Sequence, residues 1–228
     1  VWVGRGVDAG GGSPLRSYLM PDSAEATLAT NIAGVKLRNP VILAAGTCGY
    51  LDEMAEVLNL SGVGGVVTKS ITRLPREGNP TWRILECRAG MLNAIGLANM
   101  GVEAFMRDLA PRVAAVPCAV IGSIAGFSVE DYVEVARAFD TIGAMAAVEL
   151  NVSCPNVHGG TEFGADPAAL RELVAAVKGV VKKPLWVKLS PIAIGTPGHT
   201  MVDVARAAVE SGAQALCLAN TTPAMAID

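Results

Sequence analysis

Two lysines, a cysteine and a set of asparagines stand where the chain could place chemistry. The densest run is ELNVSCPNVHGGTEFGADP, residues 149–167, which holds Asn151, Cys154, Asn156 and a glycine pair. A primary amide carries both donors and an acceptor, so a pair of them can read a planar ring whose edge alternates N–H and C=O, as pyrimidines and flavins do. Cys154 lies between them. Its thiol could serve as a general base if the loop or a nearby cation favours the thiolate; the bland alternative is a buried, inert cysteine. His158, alone in a glycine loop, reads as solvated rather than as a partner base.

Lys69 in GGVVTKS and Lys188 in WVKLS each end an apolar run, so both ammonium groups would project from strand ends. A structural salt bridge or a Schiff-base nucleophile are the competing roles for such a lysine. Two lysines together with several asparagines point instead to anion and cofactor recognition. In MLNAIGLANMG, Asn93 and Asn99 flank a glycine-containing apolar turn that could close over a ligand with backbone N–H groups exposed, or else form a surface loop with satisfied amides. LCLANTTPAMAID adds Asn220, Thr221 and Thr222.

These residues need elements to hold them. From Pro40 onward, apolar runs alternate with helical patterns: PVILAAG, LDEMAEVLNL, GGVVTKSI, VEAFMRDLAPRVAA, CAVIGSIAG, SVEDYVEVARAF, AAVELNVSCPN, DPAALRELVAAVKGVV, PLWVKLSP, MVDVARAAVESG and ALCLANT. This is the rhythm of βα units, with Asp166 as a natural helix N-cap and Pro167 as a natural first helical residue. Six strands are expected, apolar on both faces and therefore parallel and covered. A doubly wound sheet and a (β/α)8 TIM barrel both suit that pattern. Lys69, Asn151, Lys188 and Asn220 all fall at C-terminal strand ends, which favours the barrel, represented by about six of its eight units. TLATNIAGVKL reads as an N-terminal hairpin capping the barrel's bottom. Residues 1–26 read as a flexible leader, and 27–228 as one barrel domain.

The composition, 51% hydrophobic, 4% aromatic and 17% charged with a formal net charge of -3, suits such an α/β protein and gives no electrostatic reason to expect nucleic acid or an anionic membrane surface. Five scattered cysteines lack the close pairs of a zinc site or a disulfide framework, so no metal and a reducing, cytoplasmic setting are expected. No apolar run approaches the ~20 residues of a membrane span.

TKS after the second strand, MLNAIGLAN, SIAG, ELNVSCPN with its GG and FGADP, VKLSP and ANTTPAMAID, in this order, make the chain from about Leu28 to Asp228 resemble the dihydroorotate dehydrogenases. The MLNAIGL form and the cysteine resemble the class that pairs with an iron-sulfur FAD subunit and passes electrons to NAD. The resemblance implies FMN across the barrel mouth, dihydroorotate stacked on it, orotate as product in pyrimidine biosynthesis, and a homodimeric core within a heterotetramer. It implies Cys154 as the base. Substrate would be held by Lys69, Asn93, Ala94, Ile95, Gly96, Leu97, Asn151, Asn156, Asn220 and Thr221. The cofactor would meet Ala45, Gly46, Lys69, Ser70, Ser123, Asn151, Lys188 and Ala219, with Lys188 near the flavin's N1 edge.

Three positions depart from the family pattern: Ala45 where serine is frequent, and Ser123 and Ile192 where asparagine is. The glycine-rich turns that hold the flavin phosphate after the seventh and eighth strands are not in this chain, so a six-stranded piece is expected to associate through its open edges and to bind FMN weakly. The competing functions are a related flavin barrel acting on another reduced pyrimidine, and a non-catalytic truncated fragment.

Overall fold

The computed structural model describes residues 28–88, 90–153, 163–191 and 198–225. Six parallel strands form its centre: β3 (Ile42–Leu43), β4 (Gly65–Val67), β7 (Ala119–Ile124), β8 (Met145–Asn151), β9 (Leu185–Lys188) and β10 (Ala215–Cys217), in the spatial order β3-β4-β7-β8-β9-β10. Chain order and spatial order coincide, as they must when each crossover helix returns the chain one strand along. The sheet is a curled barrel wall of six βα units, open between its first and sixth strands. All six strands lie where the sequence places them. The inner ones are buried on both faces, whereas β3 and β10 at the edges are half-buried.

Among the described residues, four α-helices cover the outer face: α1 (Gly101–Asp108), α2 (Val129–Asp140), α3 (Pro167–Lys178) and α4 (Met201–Glu210). Their starts are written in the sequence. The Ser128 hydroxyl accepts from the Asp131 N–H, and the Asp166 carboxylate from the Ala168 N–H at 2.8 Å beside Pro167. Thr200 and Asp203 form a reciprocal capping box. The apolar stripes of these helices meet Val120, Ile124, Val148, Leu150 and Val187, which point outward from the strands.

Two helical expectations change. LDEMAEVLNL folds as two short 3-10 turns, Glu53–Glu56 and Leu60–Gly62, because the Glu53 carboxylate folds back to accept from the Tyr50 and Leu51 N–H groups and Asn59 caps the second turn through Ser61. VEAFMRDLAPRVAA divides into α1 and a 3-10 turn over Ala110–Ala115, where Pro111 cannot supply the N–H that would continue α1.

The inward side of the sheet carries the alternate residues. At the bottom the expected hairpin, β1 (Thr30–Ile32) with β2 (Val35–Leu37), inserts Val35 and Leu37 against Val67, Ile121, Ala147 and Trp186 and closes the floor. Above that plug the period of two turns Ser123, Glu149, Asn151 and Lys188 toward the same interior. The connection from β4 to α1, read as a loop, holds a second antiparallel hairpin, β5 (Ile84–Cys87) with β6 (Gly90–Asn93).

Candidate functional site

Asn151 is the last residue of β8 and Lys188 the last of β9, and the two are register partners. Each is 9% exposed. From Asn151 a continuous hydrogen-bonded network crosses the rim. Its Nδ2 donates to Ser70 Oγ at 3.2 Å, and Ser70 Oγ lies 2.9 Å from Ser123 Oγ. On the other side, Asn220 Nδ2 donates to Asn151 Oδ1 at 2.9 Å and to Ser153 Oγ at 3.0 Å. The Ser153 N–H also donates to Asn151 Oδ1, at 3.3 Å. A backbone N–H can only donate, so this contact settles which end of the Asn151 amide is oxygen. From the helix layer, the Tyr132 hydroxyl donates to the Asn151 carbonyl at 2.6 Å and pins the strand end.

Above the network lies a cleft of about 760 Å³, a size that suits one or two small molecules. Asn151, Ser153, Ser190, Asn220 and Thr221 line one side of it, and Asn93, Ile95, Gly96 and Leu97 the other. Asn93 ends the β5–β6 hairpin, so the long connection does supply a wall. That wall is held by the second asparagine of the same motif, Asn99. Buried at 4% exposure, Asn99 accepts from the Thr72 and Gly101 N–H groups at 3.1 and 2.9 Å and donates to the Leu97 carbonyl at 2.7 Å. Asn99 is thus structural: its amide is satisfied, as one sequence reading had it, but buried rather than in a surface loop. Gly96 has φ +72°, and a Cβ there would lie 2.6 Å from the Asn79 backbone nitrogen. The Ala94 N–H donates to Arg83 O at 2.8 Å and its carbonyl accepts from Asn79, so this backbone is anchored rather than free.

The site is cationic on its flank. Arg76 lines the cleft, its guanidinium 4.6 Å from the Phe127 ring centroid. Lys69, two residues past β4 and half-buried, is not among the residues that line the cleft; burial and then the nearby Arg83 cation pull its ammonium below the ordinary lysine range. Deeper in, Glu149 is 2% exposed. Burial pushes its carboxyl above the usual carboxylate range, opposed chiefly by the Lys188 cation. Glu149 Oε1 and the Nε1–H of its register partner Trp186 find no hydrogen-bond partner among the described residues.

The structure therefore brings together Asn93, Ile95, Gly96, Leu97, Asn151, Asn220 and Thr221 around one cleft, with Ser70 and Ser123 joined through the network and Lys188 beneath. Ala45 packs against the interior cluster, Gly46 follows it at φ +84°, and Ala219 is exposed beside Asn220; none of the three lines the cleft. Cys154, Asn156, His158 and Ile192 lie outside the described residues. Sequence reading missed Ser153, Ser190, Arg76, Phe127 and Glu149. The first two adjoin chosen motif residues; Glu149 had a signal of its own, a single acid in an apolar strand at even spacing from Asn151.

Comparison with known proteins agrees with this geometry. The family model described as dihydroorotate dehydrogenase matches residues 27–228. The chain belongs to the dihydroorotate dehydrogenase family. It is 46% identical over 202 residues to the putative dihydroorotate dehydrogenase A (fumarate) of Solibacter usitatus, covering 88% of this chain and 65% of that protein. Identity and coverage are the same with the dihydroorotate dehydrogenase B (NAD(+)) catalytic subunit of Geobacter sulfurreducens. The catalytic subunit of that name from Geotalea daltonii is 44% identical over 206 residues. The chain thus spans about 65% of the length of the curated relatives it matches. Dihydroorotate dehydrogenases are TIM barrels, and the six-stranded wall with its helices and bottom hairpin is the corresponding part of that fold. Among the described residues no helix is long and apolar enough to cross a membrane.

Proposed function

We propose that this site oxidises dihydroorotate to orotate, with FMN lying across the amide rim. The observation that carries the reading is the Ser123–Ser70–Asn151–Asn220 network beneath the cleft, in a chain of this family. Amides and hydroxyls in this order fit both a flavin and a pyrimidine edge, and the buried Lys188 supplies a cation where reduced flavin gathers negative charge. FMN, when bound, supplies the acceptor for the hydride that leaves the substrate ring.

The chain's own residues do the rest. The cleft amides hold the ring in register through paired donors and acceptors. Arg76 and Lys69 favour a ring that bears a carboxylate, which selects dihydroorotate over a neutral reduced pyrimidine. The Cys154 thiolate takes the proton from the ring carbon next to the one that gives up hydride. One proton and one hydride leave together, and orotate results. In this reading the electrons pass onward to NAD through a separate iron-sulfur FAD subunit; in support, the names of the Geobacter and Geotalea relatives give NAD(+) and a catalytic subunit for those proteins. A homodimeric core and a cytoplasmic setting complete the proposal.

The test is anaerobic mixing of the full-length, FMN-loaded protein with dihydroorotate, following the flavin absorbance. Rapid bleaching is expected. Cys154→Ala should keep its flavin yet bleach roughly 10²- to 10⁴-fold more slowly, the usual worth of general base catalysis. Bleaching of that variant at the parent rate would place the base elsewhere. A protein that carries no flavin and does not bleach would support the non-catalytic reading.

A further inference from the structure

Two arginines of the β4–α1 connection have their guanidinium groups occupied, and a third, in the cleft wall, does not. Arg73 pairs with Glu134 at 2.7 Å and with Asp131 at 3.7 Å, and Arg83 donates to the Asn79 and Glu77 carbonyls at 2.6 and 2.7 Å. Arg76 lines the cleft, yet it forms no ion pair among the described residues. Its Nε–H lies a long 3.5 Å from the Gly96 carbonyl, and its terminal nitrogens donate to none of the described residues. A guanidinium with both terminal nitrogens unoccupied is a fork for a carboxylate, which it grips through two parallel N–H···O bonds.

Such a fork serves a ligand well only if it is aimed in advance, because ordering a free arginine side chain on binding costs affinity. Arg76 is held in two ways. Its main chain pairs with Asn99 in both directions, at 2.8 and 2.9 Å, and its Cζ stands 4.6 Å from the centroid of the Phe127 ring. The ring is fixed in turn at the start of α2, where the Phe127 N–H donates to Asp131 Oδ2 at 3.3 Å. Behind the stack lies a second hollow, of about 200 Å³, lined by Thr72, Pro75 and Asp131 among others. Arg76 and Phe127 line both spaces, so their stack is the partition between hollow and cleft. With the ring removed, the guanidinium can turn into the hollow toward Asp131, whose charge then competes with that of a ligand.

We propose that Phe127 is a positioning residue for substrate selection: its ring is the platform that keeps the Arg76 guanidinium at the cleft edge, rather than in the hollow with Asp131, with its fork open to the carboxylate of the bound ring. Phe127 brings no charge of its own and acts through the arginine stacked on it. The proposal rests on the reading of the cleft as a dihydroorotate site, and it deepens that reading by naming what aims the selecting cation.

Two variants separate the face of the ring from its apolar bulk. Phe127→Tyr keeps an aromatic face; Phe127→Leu keeps an apolar side chain and removes the face. In the full-length, FMN-loaded protein, orotate titrated against the flavin spectrum should bind roughly two- to fivefold more weakly to Phe127→Leu, the worth of an exposed cation–π contact, and about as tightly to Phe127→Tyr as to the parent. Arg76→Met should weaken binding roughly tenfold or more. Adding Phe127→Leu to Arg76→Met should then weaken it no further, an outcome that a merely structural role for Phe127 would not produce. A readout independent of any ligand accompanies the titration. The NMR signal of the Arg76 Nε–H, identified by its loss in Arg76→Met, should be shifted by the ring in the parent and in Phe127→Tyr, and should move toward the position of a free arginine in Phe127→Leu. Parent-like orotate affinity in Phe127→Leu overturns the proposal, as does equal weakening with and without Arg76. An Arg76 signal that Phe127→Leu leaves in place overturns it whatever the protein binds. A moved signal in a protein whose parent binds no orotate would uphold the platform and defeat the dihydroorotate reading instead.

Discussion

Lys69 is where residue chemistry meets solvent conditions. Its ammonium is held below the ordinary lysine range by burial and by Arg83. A carboxylate ligand needs that ammonium charged, so affinity is full below the lowered value and falls as the pH rises through it. For stability the sign is opposite: in the free protein the charged amine is the disfavoured form, and its cost is relieved as the pH climbs from the lowered value toward the ordinary one. Orotate affinity measured against pH should therefore decline earlier than an unperturbed lysine allows. Lys69→Met should remove the decline and weaken binding roughly tenfold or more, the worth of a hydrogen bond to a charged group. A decline that persists unchanged in Lys69→Met would assign it to another group. On the proposed electrostatic role, borohydride with dihydroorotate should leave Lys69 unmodified in a mass spectrum; an adduct would place it among Schiff-base lysines.

At the scale of elements, the connection between β4 and α1 depends on Asn99 more than on any strand pairing. Its backbone pairs with Arg76 while its side chain holds Thr72, Leu97 and Gly101. Asn99→Ala leaves two N–H groups without their acceptor, at a cost of about 2–4 kcal/mol, and should speed proteolysis between residues 76 and 96. Asn99→Asp keeps the acceptor and should lose less; equal losses would show that the amide donors dominate. The elements also show what a sequence can disclose. The six strands were legible because β4, β7, β8 and β9 are short, largely apolar runs buried on both faces, and one helix start because Asp166 caps it beside Pro167; the caps at Ser128 and Thr200 went unread. The hairpin of β5 and β6 was not, since every residue of β5 is exposed and no alternation marks a buried face. Asn151 and Asn220 were legible as rim residues from their strand ends, and Asn93 from its place in a long connection. The division of labour between Asn93 and Asn99 was not, because two asparagines in one motif look alike until burial separates them.

For the molecule as a whole, the core divides in two. A large cluster between strands and helices carries stability, and a small one inside the curl, built on Val35, Leu37, Val67, Ile121, Ala147 and Trp186, carries the floor. Leu37→Ala should cost about 2–5 kcal/mol and lower the melting temperature, with the fluorescence of Trp186 reporting the loosened plug. An unshifted melt would mean that the hairpin merely rests on the barrel. The plugged floor also turns an arrangement in space into an order in time. With the bottom closed, and in a full-length protein whose barrel wall is complete, whatever lies lowest against the rim has one way out, upward past whatever is stacked above it. A flat cofactor there must arrive first and depart last, and a shallower ring holds it in place like a stopper. Washing FMN from the protein should accordingly be slower with saturating orotate present than without it.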